Sequence, residues 1–178
     1  TTSQDNMLEK ESSGMSLKQL LNAAKKEEQS YNYKRVVMLY QNALTKTSDD
    51  DFYTFLPVIY TKLAQAYQKL SDWYEALEYY TQAQDFYVNA SNQEKVYETK
   101  LAIANIYYLM YKHDNAKFIL SELEKAQDLP NELAIRVNLA CAKLANDLHS
   151  EHKYYKKSLP LVELGTDKSV VSELYYKY

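Results

Sequence analysis

The sequence predicts an all-α fold: about four helical hairpins stacked as a right-handed α–α superhelix, or solenoid, with a C-terminal capping helix. Three observations carry this. Turn residues are scarce, because among 178 residues the glycines are Gly14 and Gly165 and the prolines Pro57, Pro130 and Pro160. Sheets and hairpins of strands need such residues at regular spacing. From Leu17 onward the apolar residues follow a helical period. Small residues then recur at a fixed interval of 40 positions, the signature of a repeat architecture.

The elements follow in order. Residues 1–15 are polar and aperiodic and read as a flexible lead-in, and 16–178 read as a single repeat domain. Leu17, Leu20, Leu21 and Ala24 mark a first helix, and Val36, Val37, Tyr40, Ala43 and Leu44 a second. Together they form a hairpin over 17–46. A third helix runs from about Phe52 to Leu70, and Pro57 suggests that its regular part starts there. It pairs with a fourth helix after the corner Ser71-Asp72, giving a hairpin over 57–88. Ser91 or Asn92 caps a fifth helix and Asp114 or Asn115 precedes a sixth, for a hairpin over 92–127. Pro130-Asn131 opens the last hairpin, 132–164, in which one helix runs from Glu132 to Leu148 and the next from Lys153. Pro160 disturbs its end and Gly165 stops it. The amphipathic tail over 168–178 suits a terminal helix that caps the array or opens another repeat.

Segments beginning at Leu17, Pro57 and Tyr97 align the copies. Their eighth residues are Ala24, Ala64 and Ala104, and their twentieth are Val36, Ala76 and Ala116. Two helices joined by a tight corner approach closely only where both present small side chains. A looser fourth copy begins near Arg136, with Leu139, Ala142 and Tyr155 at matching places. One hairpin cannot bury its apolar stripe alone, so stacking follows.

The strings LAQAYQKLSDWYEALEYYTQA (Leu63 to Ala83) and LAIANIYYLMYKHDNAKFIL (Leu101 to Leu120) resemble tetratricopeptide repeats. That family's pattern has small residues at repeat positions 8, 20 and 27, tyrosine at 11 and an aromatic at 24. Ala64, Tyr67, Ala76, Tyr80 and Ala83 fill all five places. The third copy keeps Ala104, Tyr107 and Ala116 but has Leu120 and Leu123, and the first keeps Ala24, Tyr40 and Ala43 with Glu27 replacing the tyrosine. The family usually repeats at about 34 residues. The extra length here falls around 46–56 and 87–96, as in long-repeat variants.

The resemblance implies a protein- or peptide-binding scaffold of the adaptor kind, whose first helices line a concave groove. It places Lys25, Gln65, Leu101, Asn105, Tyr108, Leu109, Val137, Ala140 and Leu144 on that groove, centred on Leu101, Asn105, Tyr108 and Leu144. Asn105 would hold a ligand's backbone amide through paired hydrogen bonds. The alternative is the ligand-sensing region of a larger regulator that responds to a small peptide. The lysine and asparagine pairing of a carboxylate clamp is absent, because Leu21 and Lys25 stand where it would be. A competing surface, rich in Tyr74, Tyr79, Tyr154 and Tyr155, would serve self-association, so a homo-oligomer stays open.

Composition narrows the partner class. Lysine plus arginine total 21 and aspartate plus glutamate 24, a net charge of -3, so no basic field offers itself to a nucleic acid. Lys153, Lys156 and Lys157 read as a solvated helix face. No apolar run approaches the ~20 residues that span a bilayer. Cys141 is the lone cysteine and reads as a small buried hydrophobe. His149 and His152 read as a polar corner. No phosphate loop, nucleophile motif or cysteine metal pair appears. The expectation is a cytoplasmic protein without catalytic activity, metal or cofactor. Nineteen tyrosines against four phenylalanines and one tryptophan suit thin helical layers, where a ring packs and its hydroxyl reaches an acceptor or water.

Overall fold

A computed structural model describes residues 3–162 and Ser172, apart from the side chains of Phe52 and Tyr53. The expected terminal helix over 168–178, and the end of the last hairpin from residue 163, lie outside the described residues. Among these the chain is all-α, with helices α1 (Ser3–Ser12), α2 (Leu17–Gln29), α3 (Tyr33–Lys46), α4 (Phe52–Lys69), α5 (Trp73–Asn89), α6 (Gln93–Leu109), α7 (His113–Glu124), α8 (Asn131–Lys143) and α9 (Leu148–Ser158), then a 3-10 turn Leu159–Leu161. The helices pack most extensively in the consecutive pairs α2/α3, α4/α5, α6/α7 and α8/α9. Corners of a few residues make each pair antiparallel. Contacts divide the chain into two compact units, Thr1–Ser91 and Asn92–Tyr178.

In the first unit, the core gathers Leu20, Ala24, Val36, Leu39, Tyr40, Ile59 and Leu63, so α2, α3 and α4 share one apolar layer. The small residues sit where the repeat demands them. Ala24, Ala64 and Ala76 are 0% exposed, as is Val36. Ser16 caps α2 in a capping box: its Oγ accepts the Gln19 N–H at 3.3 Å while its own N–H donates to Gln19 Oε1 at 2.9 Å. Each box member satisfies an N–H that the helix leaves without an internal partner.

Tyrosines tie α4 to α5. Tyr67 stacks on Tyr79 with centroids 5.7 Å apart, and Tyr60 lies 5.9 Å from both Tyr79 and Phe86. Tyr79 is therefore half-buried in an aromatic ladder. Of the tyrosine set expected on the competing surface, Tyr155 is 3% exposed and Tyr154 half-buried, which leaves Tyr74 at 70%.

Two expectations need correction here. Residues 3–12 are helical, not a flexible lead-in, and α1 docks on α3. Pro57 does not start its helix: it stands inside α4, whose first turn precedes it.

In the second unit, Leu101, Ala104, Ala116, Leu120, Val137 and Ala140 form the core of α6, α7 and α8. Ile135, Leu139, Ala142 and Tyr155 form a smaller cluster between α8 and α9. Asn92 caps α6, accepting from the Lys95 N–H at 3.3 Å. The segment expected as a corner, His149 to His152, is the first turn of α9. Asp147 caps it, accepting the Ser150 N–H at 2.8 Å and the Ser150 hydroxyl at 2.9 Å. These bonds favour the ionised carboxylate and hold Asp147 below its ordinary pKa.

The corners repeat in detail. Tyr31, Ser71 and Tyr111 have φ of 59°, 62° and 59°, and each is the fifteenth residue of its copy. The N–H of the next residue reaches back to Glu27, Tyr67 or Tyr107 at 2.9–3.1 Å, while that of the left-handed residue bonds Glu28, Gln68 or Tyr108. This is a Schellman closure, built three times at the same interval without glycine.

Candidate binding cleft

The polar faces of α2 and α4 converge in the first unit. A cleft of about 510 Å³ opens between them, lined by Glu28, Lys62, Gln65, Gln68 and Lys69 and bounded by Tyr33 and Tyr80. Its size falls in the range of small-ligand sites. Glu28 and Gln68 are both twelfth in their consecutive repeats, while Gln65 is ninth and Lys69 thirteenth in the second. α3, which packs on both α2 and α4, supplies Tyr33 and Val36 between them.

Glu28 is the hub. Its Oε1 accepts the Tyr40 hydroxyl at 2.8 Å and its Oε2 accepts Lys62 Nζ at 3.3 Å. The first bond joins the two helices of one hairpin and the second reaches the next hairpin. Burial, followed by the Glu28 carboxylate, pushes the Tyr40 phenol well above its ordinary pKa. The second copy repeats the first bond, with the Tyr80 hydroxyl donating to Gln68 Oε1 at 3.3 Å. Burial there raises the Tyr80 phenol to about 12. In the third copy both partners change together. Leu120 replaces the tyrosine, and Tyr108 replaces the acceptor and stacks on His113 at 5.4 Å.

The residues expected on the groove separate into two groups. Gln65 lines the cleft, and Lys25 is exposed one turn before Glu28 on α2. Asn105 is exposed, Leu109 is 39% exposed and Tyr108 half-buried on α6. Leu101, Val137, Ala140 and Leu144 are buried at 1–8% exposure. They do not front a groove, because α6 and α8 pack against each other and these residues fill the space between. A wall centred on Leu101 and Leu144 therefore does not form. Sequence reasoning missed the lining role of Lys62 and the tyrosine bonds behind Glu28 and Gln68. The available signal was a polar residue at position 12 that accompanies tyrosine at position 24 in two copies.

A second hollow of about 340 Å³ lies in the second unit beside Cys141, Glu124, Leu144 and Tyr154. The thiol donates to Glu124 Oε1 at 3.5 Å. Burial, then the Glu124 charge, pushes it up to about 12, so little thiolate exists at neutral pH. Among the described residues no group of three or more His, Cys, Asp or Glu side chains is placed to hold a metal ion. No helix among them is long and apolar enough to cross a membrane.

The sequence matches no protein-family model and no curated protein. Buried small side chains at positions 8 and 20, and Schellman corners at position 15, recur within the chain itself.

Proposed function

We propose that this chain is a non-enzymatic, tetratricopeptide-like binding module, and that the α2–α4 cleft takes an extended segment of a protein partner. The convergence of Glu28, Gln65, Gln68 and Lys69 on one cleft from two consecutive copies carries the reading. Glutamine side chains bond both the N–H and the C=O of an extended backbone. The helices that present them are packed on a shared core, so ordering on the receptor side costs little. Near-balanced charge favours a protein segment over a nucleic acid.

A random-peptide display selection against the chain tests this. Enriched peptides are expected to lose at least tenfold in affinity in Gln65→Ala combined with Lys69→Ala, with unchanged helicity by circular dichroism. Asn105→Ala, on the second unit, is expected to leave binding intact. Loss in Asn105→Ala with normal binding in the cleft variant would move the site to α6, and a selection that enriches no peptide would refute the reading.

A further inference from the structure

Two of the acceptor side chains that line the α2–α4 cleft, Glu28 and Gln68, are engaged by the protein itself. Tyr40 and Lys62 take the two carboxylate oxygens of Glu28, at 2.8 and 3.3 Å, and Tyr80 takes the Gln68 carbonyl at 3.3 Å. With Oε1 of Gln68 held by Tyr80, the NH2 of this cleft-lining residue remains available as a donor. Lys62 retains N–H donors beyond the one given to Glu28. Lys69 lines the same space and is exposed. Lys25 is exposed on the same face of α2, three residues before Glu28. Two lysines, Lys62 and Lys69, thus line the cleft with one carboxylate that Lys62 already pairs, Lys25 stands one turn away on α2, and donors outnumber the acceptors left to a ligand.

We infer that the cleft selects an acidic side chain, an aspartate or glutamate within an extended peptide, held by Lys62, Lys69 and the Gln68 amide. This deepens the proposed function and rests on it. Charge-assisted bonds from ammonium and amide donors to a carboxylate are the stronger class of hydrogen bond, whereas a basic peptide would meet two lysines and a carboxylate that Lys62 already pairs. Tyr40 and Tyr80 are each 4% exposed, and their hydroxyls are given to Glu28 and Gln68. They are positioning residues that hold the acceptors inward and so set the polarity of the cleft.

Two fluorescein-labelled, C-terminally amidated peptides, one alternating alanine with glutamate and the other alanine with glutamine, provide the test by fluorescence anisotropy. The glutamate peptide is expected to bind at least tenfold more tightly at low salt, and Lys69→Gln to remove most of that preference. Tyr80→Phe releases the Gln68 oxygen to face the ligand and is expected to narrow the ratio at least threefold, with the circular dichroism spectrum unchanged. A labelled polyalanine peptide with a free C-terminal carboxylate distinguishes a chain end from a side chain. If it binds as tightly as the glutamate peptide, the side-chain assignment is wrong. Equal affinity for the two amidated peptides, or binding of neither, also overturns the inference. Selected peptides that lack acidic residues yet depend on Gln65 and Lys69 would overturn the acidic preference and leave the peptide-binding reading standing.

Discussion

The hydroxyl of Tyr40 donates to Oε1 of Glu28 at 2.8 Å, closing the first hairpin across twelve residues of sequence. Tyr80 repeats the bond to Gln68. Both phenols are held above their ordinary pKa of 10.0, Tyr80 at about 12. Below pH 10 neither state loses these protons, and the stabilisation is fully present. Above it the unfolded chain ionises first, so stability falls as pH rises through the folded values. The slope approaches about 1.4 kcal/mol per pH unit for each tyrosine. Urea unfolding between pH 9 and 12 is expected to show this loss, and Tyr40→Phe to flatten it. Tyr40→Phe also leaves Glu28 one donor short and is expected to cost about 1–2 kcal/mol at pH 7. An identical slope in both proteins would show that the fold does not hold the Tyr40 phenol protonated.

The left-handed corner at Ser71 makes a second, local prediction. Its φ of 62° suits glycine, and a side chain branched at Cβ is strained there. Ser71→Val is expected to lower stability by about 1–2 kcal/mol, while Ser71→Gly leaves it equal or higher. The residue is exposed, so packing does not confuse the comparison. Equal unfolding midpoints for the two variants would contradict the corner geometry.

Ala76 and Ala116 are both 0% exposed at the twentieth position of successive copies. Leucine at either place adds carbon atoms to a filled helix crossing, with an expected cost of about 1–3 kcal/mol. Unchanged thermal melts in both Ala76→Leu and Ala116→Leu would mean that the repeat register is misplaced.

What the sequence made legible, and what it hid, divides along physical lines. Ala24, Ala64 and Ala104 were readable because close helix packing admits few residue types. The corners at Tyr31, Ser71 and Tyr111 hid their conformation, since none carries the glycine that usually announces it. Pro57 looked like a helix start because a proline removes an interior bond, yet α4 extends before it. Leu101, Val137 and Ala140 were assigned to a groove by register alone. Whether a residue on a first helix faces a ligand or the neighbouring first helix depends on how closely α6 and α8 approach, and position number does not encode that. The cleft was visible in part: the register gives Gln65, whereas Lys62 enters through its pairing with Glu28 across hairpins.

The last prediction concerns α1, a helix of 10 residues in which Ser12 is the fully buried side chain. Its attachment to α3 is largely polar. Asp5 meets Arg35 Nε at 3.3 Å, and Asn42 Nδ2 donates to the Ser12 hydroxyl at 2.7 Å. Both pairs span the same 30 residues, so α1 runs parallel to α3. Met7, at 70% exposure, adds nothing to the seam. A helix this short is marginal by itself in water. The half-exposed ion pair contributes about 0.2–1 kcal/mol, and the bond at the buried Ser12 about 1 kcal/mol. Hydrogen exchange is therefore expected to show the amides of α1 opening well before those of α2 and α3, which share the core of the unit. Arg35→Ala combined with Asn42→Ala should bring α1 to nearly unprotected exchange while α4 and α5 keep their protection. If α1 instead exchanges together with the whole unit, its docking is an integral part of the core, and these two polar contacts understate what holds it.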